Sequence, residues 1–260
     1  MNQELSRRAA LGLGAAAGIG LFLGARSQGQ QQATGRRRAI VWSEGTAPQN
    51  VYPNDIRAAV AEGLKPLAGW EIVTATITDP DQGASQDDLN KTDVLLWWGH
   101  KLHGQVKREV IDRIEKRVKE GGMGFISLHS SHLARPYVRL MKTRCTWSHY
   151  VADASRCKLI VKAPDHPIAR GLKDFEMPQT ERYGEPFQCP PPETVVFDGL
   201  YTLPNGKSEP SRQILTWTIG KGRVVYCQPG HETYPIFFQD EIRQLLRNAV
   251  EWAAPTQVVS

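Results

Sequence analysis

From residue 37 onward the hydrophobic positions alternate between two kinds of pattern. Short apolar runs at 38–42, 93–98, 124–128 and 224–227 have no polar face, which predicts strands buried on both sides. Residues 70–78 alternate instead, as a half-buried strand does, and Asp79-Pro80-Asp81 closes them. Between the strands, Ile56, Val60, Leu64 and Leu67 share one helical face. Residues 106–120 form a second, highly charged amphipathic helix, stopped by Gly121-Gly122. A last helix over 241–253 carries Ile242, Leu245, Leu246, Ala249 and Trp252 on one stripe. Strand and helix alternate, so the pattern predicts a parallel sheet with helices on both faces.

The stretch 145–192 is less regular. It offers a strand at 158–162, a turn at Pro164-Asp165-His166-Pro167, and a loop-like segment at 175–187 rich in ionisable residues. Strands follow at 194–200 and 213–219. With no internal repeat and no second hydrophobic core, 35–260 is expected to be one domain.

The first 34 residues do not belong to that pattern. Ser6-Arg7-Arg8 precedes an uncharged stretch, 9–25, rich in Ala, Gly and Leu, followed by a glutamine-rich linker. A basic flank before a short apolar region fits an export signal, and the paired arginines favour the twin-arginine type; an uncleaved membrane anchor is the alternative. Export to the periplasm or cell envelope is therefore expected. This leader also changes the charge. It holds Arg7, Arg8 and Arg26 against Glu4, so the formal +5 of the whole chain becomes +3 without it. That leaves no case for nucleic-acid binding. Cysteines 145, 157, 189 and 227 show neither CxxC nor zinc-ribbon spacing, and no disulfide framework is expected.

In open parallel sheets, ligands bind beyond the carboxyl ends of the strands. Five of the seven histidines fall at such ends: His100 and His103 after the third strand, His129 and His132 after the fourth, and His231 after the late strand. Glu44 and Glu232 join them. Two or three imidazoles with a carboxylate make a common catalytic metal site. A loop histidine hydrogen-bonded to backbone is the ordinary alternative, and His166 in its turn fits that better. Glu181 is a candidate metal ligand or general base, and Glu185 either of these or a solvated charge. Tyr183 is placed to bond substrate or orient a ligand, or simply to pack. The chain lacks a Walker loop, a GxGxxG and a GxSxG elbow, and Ser130 beside His231 is a weaker nucleophile candidate without an evident aspartate.

Four motifs in order carry a family resemblance: Trp97-Trp98-Gly99-His100 with His103; Leu128-His129-Ser130 with His132; Glu181-Arg182-Tyr183-Gly184-Glu185; and Pro229-Gly230-His231-Glu232-Thr233-Tyr234-Pro235. Together with the closing Gly222-Arg223-Val224 strand they resemble the ThuA-like (trehalose utilisation) proteins from about 39 to 255. The resemblance implies a three-layer α/β sandwich with a mainly parallel, flavodoxin-like sheet of the class I glutamine amidotransferase-like kind. His129 stands where the amidotransferases carry their cysteine nucleophile, so glutaminase activity is not expected. It further implies a role with disaccharides or their keto forms, alongside a sugar dehydrogenase in the same pathway. His129, Glu181, Tyr183 and His231 match the family's widest motifs; His100, His103, His132, Glu185 and Glu232 match a closer subgroup.

These readings combine into a metal-assisted enzyme acting on a disaccharide or keto-sugar glycoside, by isomerisation or glycosidic cleavage. The expected metal ligands are His129, Glu181 and His231, holding zinc in the first instance, or manganese or iron. Catalytic roles fall to Glu181, Tyr183, Glu185, His129 and His231. Substrate contacts fall to Glu44, His100, His103, His132, Glu232, Trp98 and Tyr234, with Trp97 and Trp147 as further rings for sugar stacking. The alternatives are a metal-free hydrolase and a non-catalytic exported sugar-binding protein. Oligomeric state stays open.

Overall fold

The computed structural model describes residues 36–256. The expected export segment at 1–34 lies outside the described residues. Within them, no helix is long and apolar enough to cross a membrane.

The elements run β1 (Arg37–Ser43), α1 (Asp55–Leu64), β2 (Trp70–Thr76), α2 (Gln86–Asn90), β3 (Val94–Trp98), α3 (Arg108–Lys119), β4 (Gly124–Leu128), α4 (Arg135–Met141), β5 (His149–Val161), β6 (Phe175–Gly184), β7 (Thr194–Thr202), β8 (Ser208–Ile219), β9 (Gly222–Cys227) and α5 (Asp240–Ala253). All nine described strands share one sheet in the order β2-β1-β3-β4-β9-β8-β7-β5-β6.

Successive side chains of a strand point to opposite faces, and here both faces are covered. Ala39 and Val41 of β1, Leu96 and Trp98 of β3, and Ile126 and Leu128 of β4 pack under the apolar stripes of α1 and α5. Ile40, Trp42, Leu95, Trp97 and Phe125 point the other way, under Val110, Ile111 and Ile114 of α3 and Tyr137 and Leu140 of α4. A three-layer sandwich results, with two apolar layers where the sequence suggested one core. A sheet buried on both faces necessarily divides its core in two.

The expectation of a mainly parallel sheet needs correction. From β2 to β9 the four pairings are parallel. From β9 to β6 the other four are antiparallel. The sheet is mixed. The loop-like segment at 175–187 is in fact mostly β6, and the strand expected at 158–162 is the end of the much longer β5. Ionisable residues hid the alternation: Phe175 and Met177 face inward, but so does Arg182, buried by its ion pairs with Asp153 and Glu209. Helix α4 also went unread, because its seven residues are too few to show a period.

Two features of this sheet position the site. The parallel strands end level: Ser43 pairs with Trp98, Trp98 with Leu128 and Leu128 with Cys227. Glu44, Gly99, His129 and Gln228 therefore emerge side by side. The antiparallel hairpin reaches the same place differently. Residues 156–161 of β5 pair with β7, but residues 149–155 pair with β6 alone. Register shifts on both sides of Ser155, next to Ala154 at φ +56°, mark bulges that bend a strand. The overhanging end is fastened above β8, where Ser211 Oγ donates to the Tyr183 carbonyl at 2.7 Å.

Candidate active site

His129 is the first residue after β4 and is fully buried. Its φ of +46° is in the left-handed region, which disfavours a side chain by roughly 1–2 kcal/mol. The neighbours hold it there. Ser130 Oγ donates to the Gly99 carbonyl at 2.8 Å, Ser131 Oγ accepts from Gly99 N–H at 2.6 Å, and Tyr226 donates to the His129 carbonyl at 3.1 Å. Gly230, at φ +150°, lies so close that a Cβ on it would sit 2.7 Å from that of His129. Trp98 stacks on the imidazole, with centroids 5.9 Å apart and planes 9° apart; Tyr183 also stacks on it, at 4.5 Å and 16°.

The proton positions on this ring follow from its partners. Nδ1 lies 2.8 Å from the Gln228 carbonyl, which can only accept, so Nδ1 carries a proton. Nε2 then faces the Glu181 carboxylate, 3.1 Å from Oε2, and the Tyr183 hydroxyl at 3.0 Å. A lone pair aimed at a carboxylate is unfavourable; a positive charge between them, proton or metal ion, removes the conflict. His231 differs. The backbone N–H of Thr233 donates to its Nδ1 at 3.0 Å, and Thr233 Oγ1 lies 2.7 Å away. A neutral His231 ring so held has its proton on Nε2, 3.5 Å from Glu181 Oε2.

His129, Glu181 and His231 each offer one ligand atom, and these atoms lie within 4.8 Å of one another. Ligands of a tetrahedral zinc at about 2.0–2.1 Å from the ion are about 3.3 Å apart, so the 3.1 and 3.5 Å separations suit a small divalent ion. His129 and Glu181 fit as they stand. His231 fits if its proton moves to Nδ1 and is donated to Thr233 Oγ1, at the cost of the bond from the Thr233 backbone N–H.

Burial pushes the Glu181 carboxyl up, but the His129 hydrogen bond outweighs it, so Glu181 stays ionised. Burial, then the neighbouring His129, lowers His231 and keeps it neutral. Burial raises the Tyr183 phenol well above its ordinary value and keeps it a donor.

A second polar group adjoins the first. His100 Nε2 lies 3.2 Å from Glu232 Oε1, and His231 Nε2 lies 3.8 Å from Glu232 Oε2. Burial alone would raise Glu232, yet the His100 hydrogen bond holds it down to about 2. The same hydrogen bond raises His100 against its burial. Glu44 Oε1 is 3.9 Å from His103 Nδ1. Tyr234 packs its ring on His231 at 4.7 Å.

Three expected site residues have other partners in the structure. Glu185 is directed away from the chemistry: both its oxygens pair with the Arg212 guanidinium, at 2.8 and 2.9 Å, and it also accepts from the Phe187 backbone. His132 is buried among Tyr150, Tyr183, Phe187 and Tyr226 and bonds the Cys145 carbonyl; burial drives it down to about 3, so it is a neutral packing group. Trp98, like Trp97 and Trp147, is buried and serves as a platform under protein rings, not under a sugar. The sequence reading also missed groups. Thr233, two residues after His231, is a local side-chain pattern that was open to notice. Gln228 acts through its carbonyl, which leaves no trace in residue type.

The model of the ThuA family, described as trehalose utilisation, matches residues 38–253. The chain belongs to the ThuA family. Membership supports a role in carbohydrate utilisation. Among solved structures, this ThuA chain is similar to a protein described as ThuA-like from Bacteroides uniformis, at 16% identity over 86% of this chain and 93% of that one, TM-score 0.63. A second described as ThuA-like, from Parabacteroides merdae, gives 14% identity, 87% and 92% coverage and a TM-score of 0.59. PurLQS from Thermotoga maritima gives 13%, 84% and 99%, with a TM-score of 0.53. At such identities the likeness concerns the fold, an α/β architecture of the glutamine amidotransferase-like kind. No curated protein matches the sequence.

Proposed function

We propose that this ThuA protein is an exported, metal-assisted enzyme acting on a keto-sugar glycoside or disaccharide. The supporting observation is the meeting of His129, Glu181 and His231 from three separate strands, with Nε2 of His129 turned toward a carboxylate. A divalent ion held by these three would act as a Lewis acid toward a carbonyl or hydroxyl pair. Beside a ketone a C–H proton is acidic enough for a carboxylate base, and ionised Glu181 is the base at hand. The electron pair of the broken C–H bond moves toward the carbonyl oxygen, and the Tyr183 phenol is placed to stabilise charge there as a donor. Return of the proton to the former carbonyl carbon, with the hydroxyl proton on the neighbouring carbon passing to the enolate oxygen, moves the ketone by one carbon; loss of the glycosidic oxygen from the β-carbon as an alcohol carrying that proton, followed by addition of water to the double bond, cleaves the glycoside instead. The buried stack of Trp98, His129 and Tyr183 keeps the reacting groups fixed throughout.

One observation favours a second reading. The Thr233 N–H bond to His231 Nδ1 leaves Nε2–H to donate a hydrogen bond to developing charge, so neutral His231 as electrophile and Glu181 as base form an acid–base pair that needs no metal. Elemental analysis of the purified protein, with keto-glycoside consumption followed by NMR, separates the two. The metal reading expects one divalent ion per chain, lost together with turnover in His129→Ala. Full turnover after exhaustive chelation supports the acid–base pair instead. If neither metal-replete nor chelated protein transforms or binds any saccharide, both readings are wrong.

A further inference from the structure

Beyond the three converging groups, the rim contains a pair of side chains whose hydrogen-bonding capacity is unused. Glu44 follows β1 directly, and its side chain is 0% exposed. Oε2 accepts from the Lys101 backbone at 2.7 Å. Oε1 has no hydrogen-bond partner, and neither ring nitrogen of His103 has one. A buried carboxylate oxygen without a donor costs about 1–3 kcal/mol or more. His103 Nδ1 is 3.9 Å away, too far for a direct bond.

The space between them is shaped by a glycine. Both side chains close over Gly99, whose backbone is pinned by Ser130 and Ser131. A Cβ on Gly99 would lie 2.9 Å from His103 Nδ1 and 3.3 Å from Glu44 Oε1. A single oxygen with legs of about 2.8 Å to either side would bridge two atoms 3.9 Å apart. The chemistry of the pair restricts that oxygen. Glu44 can only accept, so the oxygen must carry a hydrogen. His103, lowered by burial despite Glu44, is a neutral ring able to donate one N–H to it. A carboxylate or phosphate cannot donate to Glu44 and is repelled by it; an ammonium cannot accept from His103. An alcohol does both.

We propose that Glu44 and His103 form a hydroxyl-reading subsite that takes one alcohol group of a saccharide, Glu44 accepting and His103 donating, with Gly99 as its floor. The proposal rests on the carbohydrate reading above and adds which residues select the sugar. The His100–Glu232 pair connects it to the catalytic groups, Glu232 reaching toward His231 on one side and binding His100 on the other.

The test is calorimetric titration of the full chain with trehalose, and with a keto derivative of trehalose in a Glu181→Gln background that blocks turnover. Glu44→Gln and His103→Ala are each expected to weaken binding about tenfold or more, as loss of a hydrogen bond to a charged or buried group does. Among monodeoxy trehaloses, one should lose that same factor against the parent chain and nothing further against Glu44→Gln. His103→Ala removes a partly exposed ring, so it tests the idea even if Glu44→Gln fails to fold. Binding within twofold of the parent in both variants means the gap takes water only, and the subsite is refuted while the carbohydrate reading survives. If the parent chain binds neither saccharide, the carbohydrate reading fails, and this proposal with it.

Discussion

The two halves of the sheet supply the same site by opposite means. The parallel half, β2 to β9, delivers Glu44, His100, His129 and His231 from loops that leave level strand ends over two buried apolar layers. The antiparallel half delivers Glu181 and Tyr183 from within β6, the edge strand of a bent hairpin fastened by polar contacts and by ring packing around Tyr183. Imidazoles thus come from the rigid half, and the acid from an arm laid across it. The site has its full charge set only when the arm is in place, which makes the seating of the hairpin part of the chemistry.

The most severe way to break this arrangement is to remove one group from each half. His129→Ala and Glu181→Gln should each lower turnover of a keto-glycoside by on the order of 10²–10⁴-fold. If the two act as a unit across the halves, the double variant should be scarcely worse than either single one. Additive losses would show that the hairpin and the strand ends work independently.

How much of this was legible depended on which half a residue occupies. The apolar runs of β1, β3 and β4 and the stripes of α1, α3 and α5 gave the layers directly, because burial on both faces leaves no ambiguity about where a strand ends. The rim histidines followed from those ends. The antiparallel half resisted because its polar residues point inward in pairs. Arg182 is buried by Asp153 and Glu209, Glu185 is paired with Arg212, and residue type does not reveal whether a charge faces solvent, substrate or a partner. For this reason Glu185 was expected in the chemistry and lies outside it, and β6 was expected as a loop.

A milder change sharpens the role of the strand end after β9. Thr233→Val keeps the backbone N–H at His231 Nδ1 and deletes the hydroxyl 2.7 Å from it. If His231 binds an ion through Nε2, its Nδ1–H loses the only side-chain acceptor shown there, and metal affinity should fall about 10–100-fold, read by competition with a chromogenic chelator. If His231 is instead the acid of a metal-free pair, the backbone bond still sets the ring, and turnover should remain within about twofold.

The smallest expected effect concerns the arm alone. Glu185 receives two bonds from the Arg212 guanidinium and one from each of the Arg212 and Phe187 backbones. Burial raises its carboxyl, but these bonds prevail and hold it below the ordinary 4.5. A depressed carboxylate contributes stability that is present above its unfolded value and lost as pH falls through the folded one. Glu185→Gln exchanges charged hydrogen bonds for neutral ones, so it should cost about 1 kcal/mol in urea unfolding near pH 7. That difference should shrink as pH falls below 4.5 through the depressed folded value, because protonation removes the same charge from the parent chain. At neutral pH, turnover should change by less than about twofold, since the carboxylate faces Arg212 and not the imidazoles. A hundredfold loss of turnover with unchanged stability would place Glu185 back among the reacting groups, and would mean that the end of β6 turns inward during catalysis.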